Sequence, residues 1–335
     1  MNFKKFLAAT AVAFVLPGFA NAQEAEQAPE KEGWIFSEEV RLPITSMKDQ
    51  NAAGTCWCYS TLSFVEAELL RTTGKTYDFS EMFIVWNTYM DRAQATVRTH
   101  GDISFSQGGS FYDVLYGIKH YGLVPDSELP AGVKHGDTLS DFSEFSRVCD
   151  PFVEGIVKGR KLQTDANGNP LWKEALAGIL NAYIGERPET FVYEGKEYTP
   201  KSFAESTGFN PDDYVNLASF SHHPFYEPFV IEVQDNWRWS TAYNLPIDEL
   251  MEVMNYAIDN GYTFAWGSDV SEKGFLRGEN FGIMVLPDLE ARDNNDAGTD
   301  KARWAGLSAA ERAKEGYSQP TPQRWVSQEE RQQAY

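Results

Sequence analysis

The sequence predicts an α+β fold in which helices come first and strands late. Apolar residues recur at the helical period in successive segments between residues 56 and 258. Short, largely apolar runs, at 229–233 and 263–270, read as strands. A third observation gives the fold its centre. Gln50-Asn51-Ala52-Ala53-Gly54-Thr55-Cys56-Trp57-Cys58-Tyr59-Ser60 is a glycine-containing turn that runs straight into the first helical pattern. With 335 residues, 42% of them hydrophobic, the chain can bury a core sufficient for one large or two modest domains.

From the N-terminus, Lys4 and Lys5 precede an apolar run from Phe6 to Leu16, a Pro17-Gly18 break and Ala20-Asn21-Ala22. That order reads as a cleavable signal peptide over 1–22 and predicts export to the periplasm or medium. The run is too short to span a bilayer, and no Cys precedes Cys56, so no membrane anchor is expected. Residues 23–33 are Glu-, Gln- and Ala-rich without apolar periodicity and read as a disordered leader. The fold is expected to occupy 34–335, starting near Trp34-Ile35-Phe36.

Read as a helix from Cys56 to Arg71, the next segment aligns Cys58, Leu62, Val65 and Leu69 on one buried stripe. Cys56 then stands at the helix N-terminus, where unpaired N–H groups and the dipole favour a thiolate. Gln50, six residues upstream across the turn, can bring its amide beside the sulfur. With the Cys56 N–H it would form a two-donor oxyanion hole. Asp78-Phe79-Ser80-Glu81 opens a second helix, with Ser80 or Asp78 as cap and Phe83, Trp86, Tyr89 and Met90 as its apolar face. Gly108-Gly109 lets backbone approach a ligand, and Ser110 can cap a third helix carrying Phe111, Val114, Leu115 and Ile118.

Gln50, Cys56 and Trp57 at these spacings resemble the papain-like cysteine peptidases. Ala53-Gly54-Thr55-Cys56-Trp57 departs from the papain pattern C-G-[SA]-C-[WY] at its first and third positions. The missing first Cys points to the bleomycin hydrolase/aminopeptidase C branch. That resemblance implies a papain-like fold and peptide hydrolysis through Cys56 with Gln50 as oxyanion donor. It further implies substrate contacts at Gly108, Gly109 and Trp57, no cofactor, and a homo-oligomer, hexameric in that branch. Aminopeptidase action on peptide substrates is implied as well. Residues from about 125 to 215 would be a mostly helical insertion, with a turn at Asn167-Gly168 and helices at 171–184 and from Thr199-Pro200.

The remaining elements are the strand at 229–233, an amphipathic helix from Pro246 to Ile258, and the strand at 263–270. In the family a catalytic His and Asn follow that last strand. Here no His follows His223 and no Asn-Ser-Trp occurs, and Ser327-Gln328-Glu329-Glu330 begins a helix just before the last residues. The β half is therefore expected to be incomplete and the chain to stop before its catalytic His and Asn. Among His100, His120, His135, His222 and His223, the adjacent pair is the rival candidate for a base. As a metal site the pair has Glu227 as its nearby carboxylate and reads as a packed loop instead. The calcium-like offsets at Asp293, Asn295 and Gly298 fail at Ala297 and Trp304, so no metal is expected.

Charge excludes other classes. With 29 basic against 49 acidic residues, the net −20 disfavours nucleic acid and anionic membranes as partners. Three cysteines do not make a disulfide framework, although Cys58 and Cys149 could pair. A non-enzymatic peptide-binding protein on the same scaffold is the alternative, and a downstream His and Asn-Ser-Trp would separate the two.

Overall fold

A computed structural model describes residues 40–159 and 161–267, together with the backbone of two later strands, 275–278 and 282–285. The signal and leader segments, Trp34-Ile35-Phe36, Ser268–Val270, the acidic loop at 292–300 and the end of the chain lie outside the described residues.

The expected first helix, α1, runs Cys56–Thr73 and ends on Gly74 at φ 72. A left-handed residue there stops the helix, and glycine adopts it without a Cβ penalty. Cys58, Leu62, Val65 and Leu69 are all buried, as the stripe predicts. α2 (Glu81–Arg98) is capped by Ser80, whose hydroxyl accepts the Phe83 N–H at 3.1 Å. α3 (Phe111–Tyr121) begins at Ser110, whose N–H and hydroxyl both donate to the Asp113 carboxylate, at 2.8 and 3.0 Å. The reciprocal bond fixes the entry of the chain after Gly108-Gly109.

The segment read as an insertion contains α4 (Ser143–Lys158), α5 (Leu171–Tyr183) and α6 (Pro200–Thr207), with a hairpin of β1 (Phe191–Tyr193) and β2 (Lys196–Tyr198) between the last two. α5 and α6 fall where the sequence places helices, α4 was not anticipated, and the hairpin is too short to leave a pattern. Phe145, Cys149, Trp172, Leu176, Leu180, Phe191 and Phe203 join the same apolar cluster as Leu62 and Phe83. This stretch is thus continuous with the core around α1 instead of being an appendage.

A three-stranded sheet follows, β3 (Leu217–Ala218), β4 (Pro228–Val230) and β5 (Thr241–Asn244), in the order β3-β5-β4. β5 is central, parallel to β3 and antiparallel to β4. The expected run at 229–233 is a strand only as far as Val230. α7 (Ile247–Asp259) matches its predicted span, but Leu250, Met254 and Ile258 are half-buried. Residues 263–267, expected to begin a buried strand, form no ladder and leave Trp266 exposed. The last described elements, β6 (Phe275–Gly278) and β7 (Gly282–Val285), pair as an antiparallel hairpin. Among the described residues no helix is long and apolar enough to cross a membrane.

Candidate active site

The turn before α1 is held by its neighbours rather than by its own sequence. Asn51 sits at φ 48, a left-handed conformation Asn tolerates, with its N–H donating to Asp49 Oδ1 at 2.7 Å. Its amide donates to the Ser140 carbonyl at 3.1 Å, and the Phe142 N–H donates to the Ala52 carbonyl at 2.9 Å. Gln50, half-buried, is therefore carried on a loop pinned to residues 140–142 through Asn51 and Ala52, just after it.

Beneath that loop lies a buried charge cluster. Lys48 Nζ donates to the Phe79 carbonyl at 2.8 Å and to Glu81 at 2.9 Å, and lies 2.6 Å from Asp78 and 3.6 Å from Glu66. Glu66 accepts from the Thr45 hydroxyl at 2.6 Å and the Phe79 N–H at 2.8 Å. Two buried carboxylates, Glu66 and Glu81, and the exposed Asp78 share one ammonium. Burial pushes Glu81 up to about 7 against the pull of Lys48, and burial raises Glu66 as well. Burial opposes the charge on Lys48, but Glu81 and Glu66 outweigh it and hold the ammonium above its ordinary range.

Cys56 is the exposed cysteine of the three, all of which are free thiols. It opens α1, which has no side-chain cap from Thr55 and no acidic residue in its first turn. The positive end of the helix is thus left uncompensated at Cys56, a setting suited to a thiolate or an oxyanion. Cys58, two residues on, is fully buried with its thiol 3.6 Å from the Glu81 carbonyl, and burial pushes it well up. Cys149 is buried in the α4 face and pushed up to about 12, again by burial.

The structure brings Gly108-Gly109 to this turn, through two residues the sequence reading missed. Gln107 is the first. Its Oε1 accepts the Gly54 N–H at 2.7 Å, its amide donates to Ser146, and its carbonyl accepts the Trp57 indole N–H at 3.0 Å. Trp57 is 3% exposed, and a Cβ on Gly109 would stand 2.8 Å from its ring, so the glycine lies flat on the indole. Arg92, fully buried, is the second. It donates to the carbonyls of Ser104 (2.8 Å), Gly108 and Gln234 (3.2 Å). Against Gly108 also stands the Asp235 carboxylate, 3.8 Å from Arg92 Nη1, to which a Cβ on the glycine would approach within 2.1 Å. No periodicity or motif marks Gln107 or Arg92, because both act on backbone groups distant in sequence.

The sequence profile of the peptidase C1-like family matches residues 2–290. The chain belongs to that family. Aminopeptidase G of Lactobacillus delbrueckii subsp. lactis is 22% identical over 298 residues, covering 76% of this chain and 67% of that protein. Aminopeptidase W of the same organism is 22% identical over 297 residues, covering 75% and 67%. A crystal structure of PepW from Lactobacillus rhamnosis superposes with a TM-score of 0.52 at 19% identity. The match spans 68% of this chain and 59% of that one, and it supports the α+β papain-like fold. The resemblance read from Gln50 and Cys56 is borne out at the level of family and fold.

Within this C1-like scaffold, His120 stacks on Tyr116 at 4.0 Å between ring centroids, and His222 and His223 face Glu232. A cavity of about 570 Å³ opens between Glu68, Thr72, Tyr214 and Tyr262. It lies at the far end of α1, twelve residues or about 18 Å of helix from Cys56, and is separate from this site.

Proposed function

We propose that this chain is a cysteine peptidase that cleaves peptide bonds through a thioester on Cys56, and that it acts as an aminopeptidase. One observation carries the reading. The exposed thiol stands at an uncapped helix N-terminus, on a turn clamped to a glycine pair. In the reaction the thiolate attacks the scissile carbonyl carbon, and the oxygen becomes an oxyanion facing the Gln50 amide and the Cys56 N–H. Collapse expels the amine, which takes a proton from a general acid, an imidazole as the resemblance implies. Water, giving a proton back to that imidazole, then attacks the thioester, releasing the acid and restoring the thiolate–imidazolium pair. Gly108 and Gly109 would align the substrate backbone beside Cys56. Preference for a free N-terminus follows the names of the two lactobacillar relatives.

The test is hydrolysis of aminoacyl-coumarin substrates and their N-acetylated forms by wild type and Cys56→Ala. Loss of turnover in the variant and selectivity for the free amine are expected. Iodoacetamide labelling read by mass spectrometry should mark Cys56 alone among the three cysteines, and equal labelling of Cys58 or Cys149 in folded protein would overturn the assignment.

The same reading takes 1–22 as an export signal, 23–33 as a leader and 34–335 as the peptidase domain. The dilysine, apolar run and Ala20-Asn21-Ala22 support it. A mature N-terminus at Gln23 in the exported fraction is expected. Assembly into a homo-oligomer, suggested by the resemblance, is checked by light scattering of purified protein.

A further inference from the structure

The two adjacent histidines and Glu232 converge. His223 Nε2 lies 3.3 Å and His222 Nε2 3.9 Å from the same oxygen, Glu232 Oε2, and all three atoms fall within 4.8 Å of one another. A metal ion held at about 2.0–2.2 Å by nitrogen and oxygen in tetrahedral geometry needs ligand atoms about 3.3–3.5 Å apart. The His223–Glu232 pair already has that spacing, and a small ring rotation brings His222 to it. The sequence reading looked to Glu227 for a third ligand. The fold supplies Glu232 instead, because β4 turns its end toward the histidine loop.

Both arms of this cluster hang from β5, and each is fixed by a buried asparagine. Asn244, the last residue of β5, is fully buried. Its amide donates to the carbonyls of Phe220, His223 and Pro224 at 2.8, 3.0 and 3.1 Å, and its oxygen accepts the Phe220 N–H at 2.8 Å. One side chain thus sets the backbone on both sides of His222 and His223. Glu232 follows β4, whose Val230 pairs with Thr241 of β5. Asn236 braces the residue before it, donating to the Ile231 and Ser240 carbonyls at 3.0 and 2.8 Å. The His223 ring packs on Phe229 at 4.5 Å between centroids, which limits its rotation. A loop held this closely presents its ligands already in place, so little ordering is required when an ion arrives.

We propose that His222, His223 and Glu232 form a binding site for a divalent transition-metal ion of the zinc type, with water completing the coordination. Two imidazoles and one carboxylate are borderline ligands that suit zinc, nickel or copper and not calcium or magnesium. The ion would tie the histidine loop to the segment after β4. That segment continues to Gln234 and Asp235, which touch Arg92 and Gly108. The metal would therefore brace one wall of the candidate active site without taking part in its chemistry.

The experiment uses untagged full-length protein carrying Cys56→Ala, so that the exposed thiol does not bind the probe. Zn²⁺ is titrated against a chromophoric indicator, and Co²⁺ is followed by its visible d–d bands. One equivalent of Zn²⁺ is expected, with affinity lowered at least about tenfold in both His223→Ala and Glu232→Gln. Excess Ca²⁺ should not displace it. Circular dichroism establishes that each variant is folded, and Glu232→Asp, which keeps the carboxylate, should retain part of the affinity. Absence of saturable Zn²⁺ binding, equal binding by the folded variants, or displacement by Ca²⁺ would each overturn the site and leave a histidine–carboxylate contact only.

Discussion

Between residues 53 and 209 the buried side chains form one continuous apolar cluster, from Ala53 and Leu62 through Phe83 and Leu115 to Leu180 and Phe203. The sheet β3-β5-β4, by contrast, has a described apolar cluster of just Ala218, Phe229 and Ala242. Its shape is set by polar side chains: Asn244 and Asn236 bond to backbone within it, and Arg238 ties it to the helices. Arg238 donates to Asp113 and Asp91, at 2.7 Å each, and its guanidinium stacks 3.8 Å from the Tyr116 ring. Apolar packing is non-directional and tolerates many sequences, whereas a few directional bonds fix a small region but fail singly. Cys56 opens a helix of the first kind of region, and Gln50 sits on a loop hydrogen-bonded to it. The far side of Gly108 and the proposed metal site belong to the second.

The largest effect expected from this contrast is at the join. Arg238→Ala strands Asp113, whose side chain is fully buried, and should cost about 3–5 kcal/mol at neutral pH. Burial raises Asp113 above its ordinary value despite Arg238. Losing the cation raises it further, and the deficit should grow as pH rises from acid to neutral. Denaturant titrations at several pH values check this, and a pH-independent deficit would show that the arginine acts by packing alone.

Gln50→Ala separates rate from stability. It removes a donor from a half-buried loop without opening the apolar cluster, so kcat should fall by roughly 10²–10³ with KM and melting temperature nearly unchanged. A loss confined to KM would make Gln50 a binding residue.

Glu81→Gln probes the place where the helical region itself depends on buried charge. The folded state holds the Glu81 proton up to about 7, while the unfolded chain releases it near its ordinary 4.5. Stability from this group is therefore present at low pH and is lost as pH rises through that window, by at most roughly 3 kcal/mol. The glutamine variant should show a flatter profile between those values, measured by chemical denaturation.

The smallest effect concerns the sheet. Asn244→Ala should cost about 1–3 kcal/mol and act locally. Hydrogen exchange is expected to accelerate across 217–244 while the amides of α1 stay protected. Loss of protection in α1 as well would mean that the two regions are one cooperative unit and would break the comparison.

The helices were legible because burying one face leaves a period in the sequence. α1, α5 and α7 fall within a few residues of their predicted spans, and Ser80 and Thr199 cap as their residue types suggest. The strands were less so: the run at 229–233 holds the end of β4, but β3 and β1 are two and three residues long and carry no alternation to read. Glu232 was passed over for Glu227 because distance along the chain stood in for distance in space.

By itself the sequence determined the first helix, the thiol at its start and the family to which these belong. Each rests on residues within one turn or one helix of Cys56, where spacing in sequence fixes spacing in space. Only the tertiary structure decided what holds that turn, since Gln107 reaches Gly54 across fifty-three residues and Arg92 reaches Gln234 across 142. Each of those bonds ends on a backbone group, which every residue possesses, and so no residue type at Gly54 or Gln234 announces its side-chain partner.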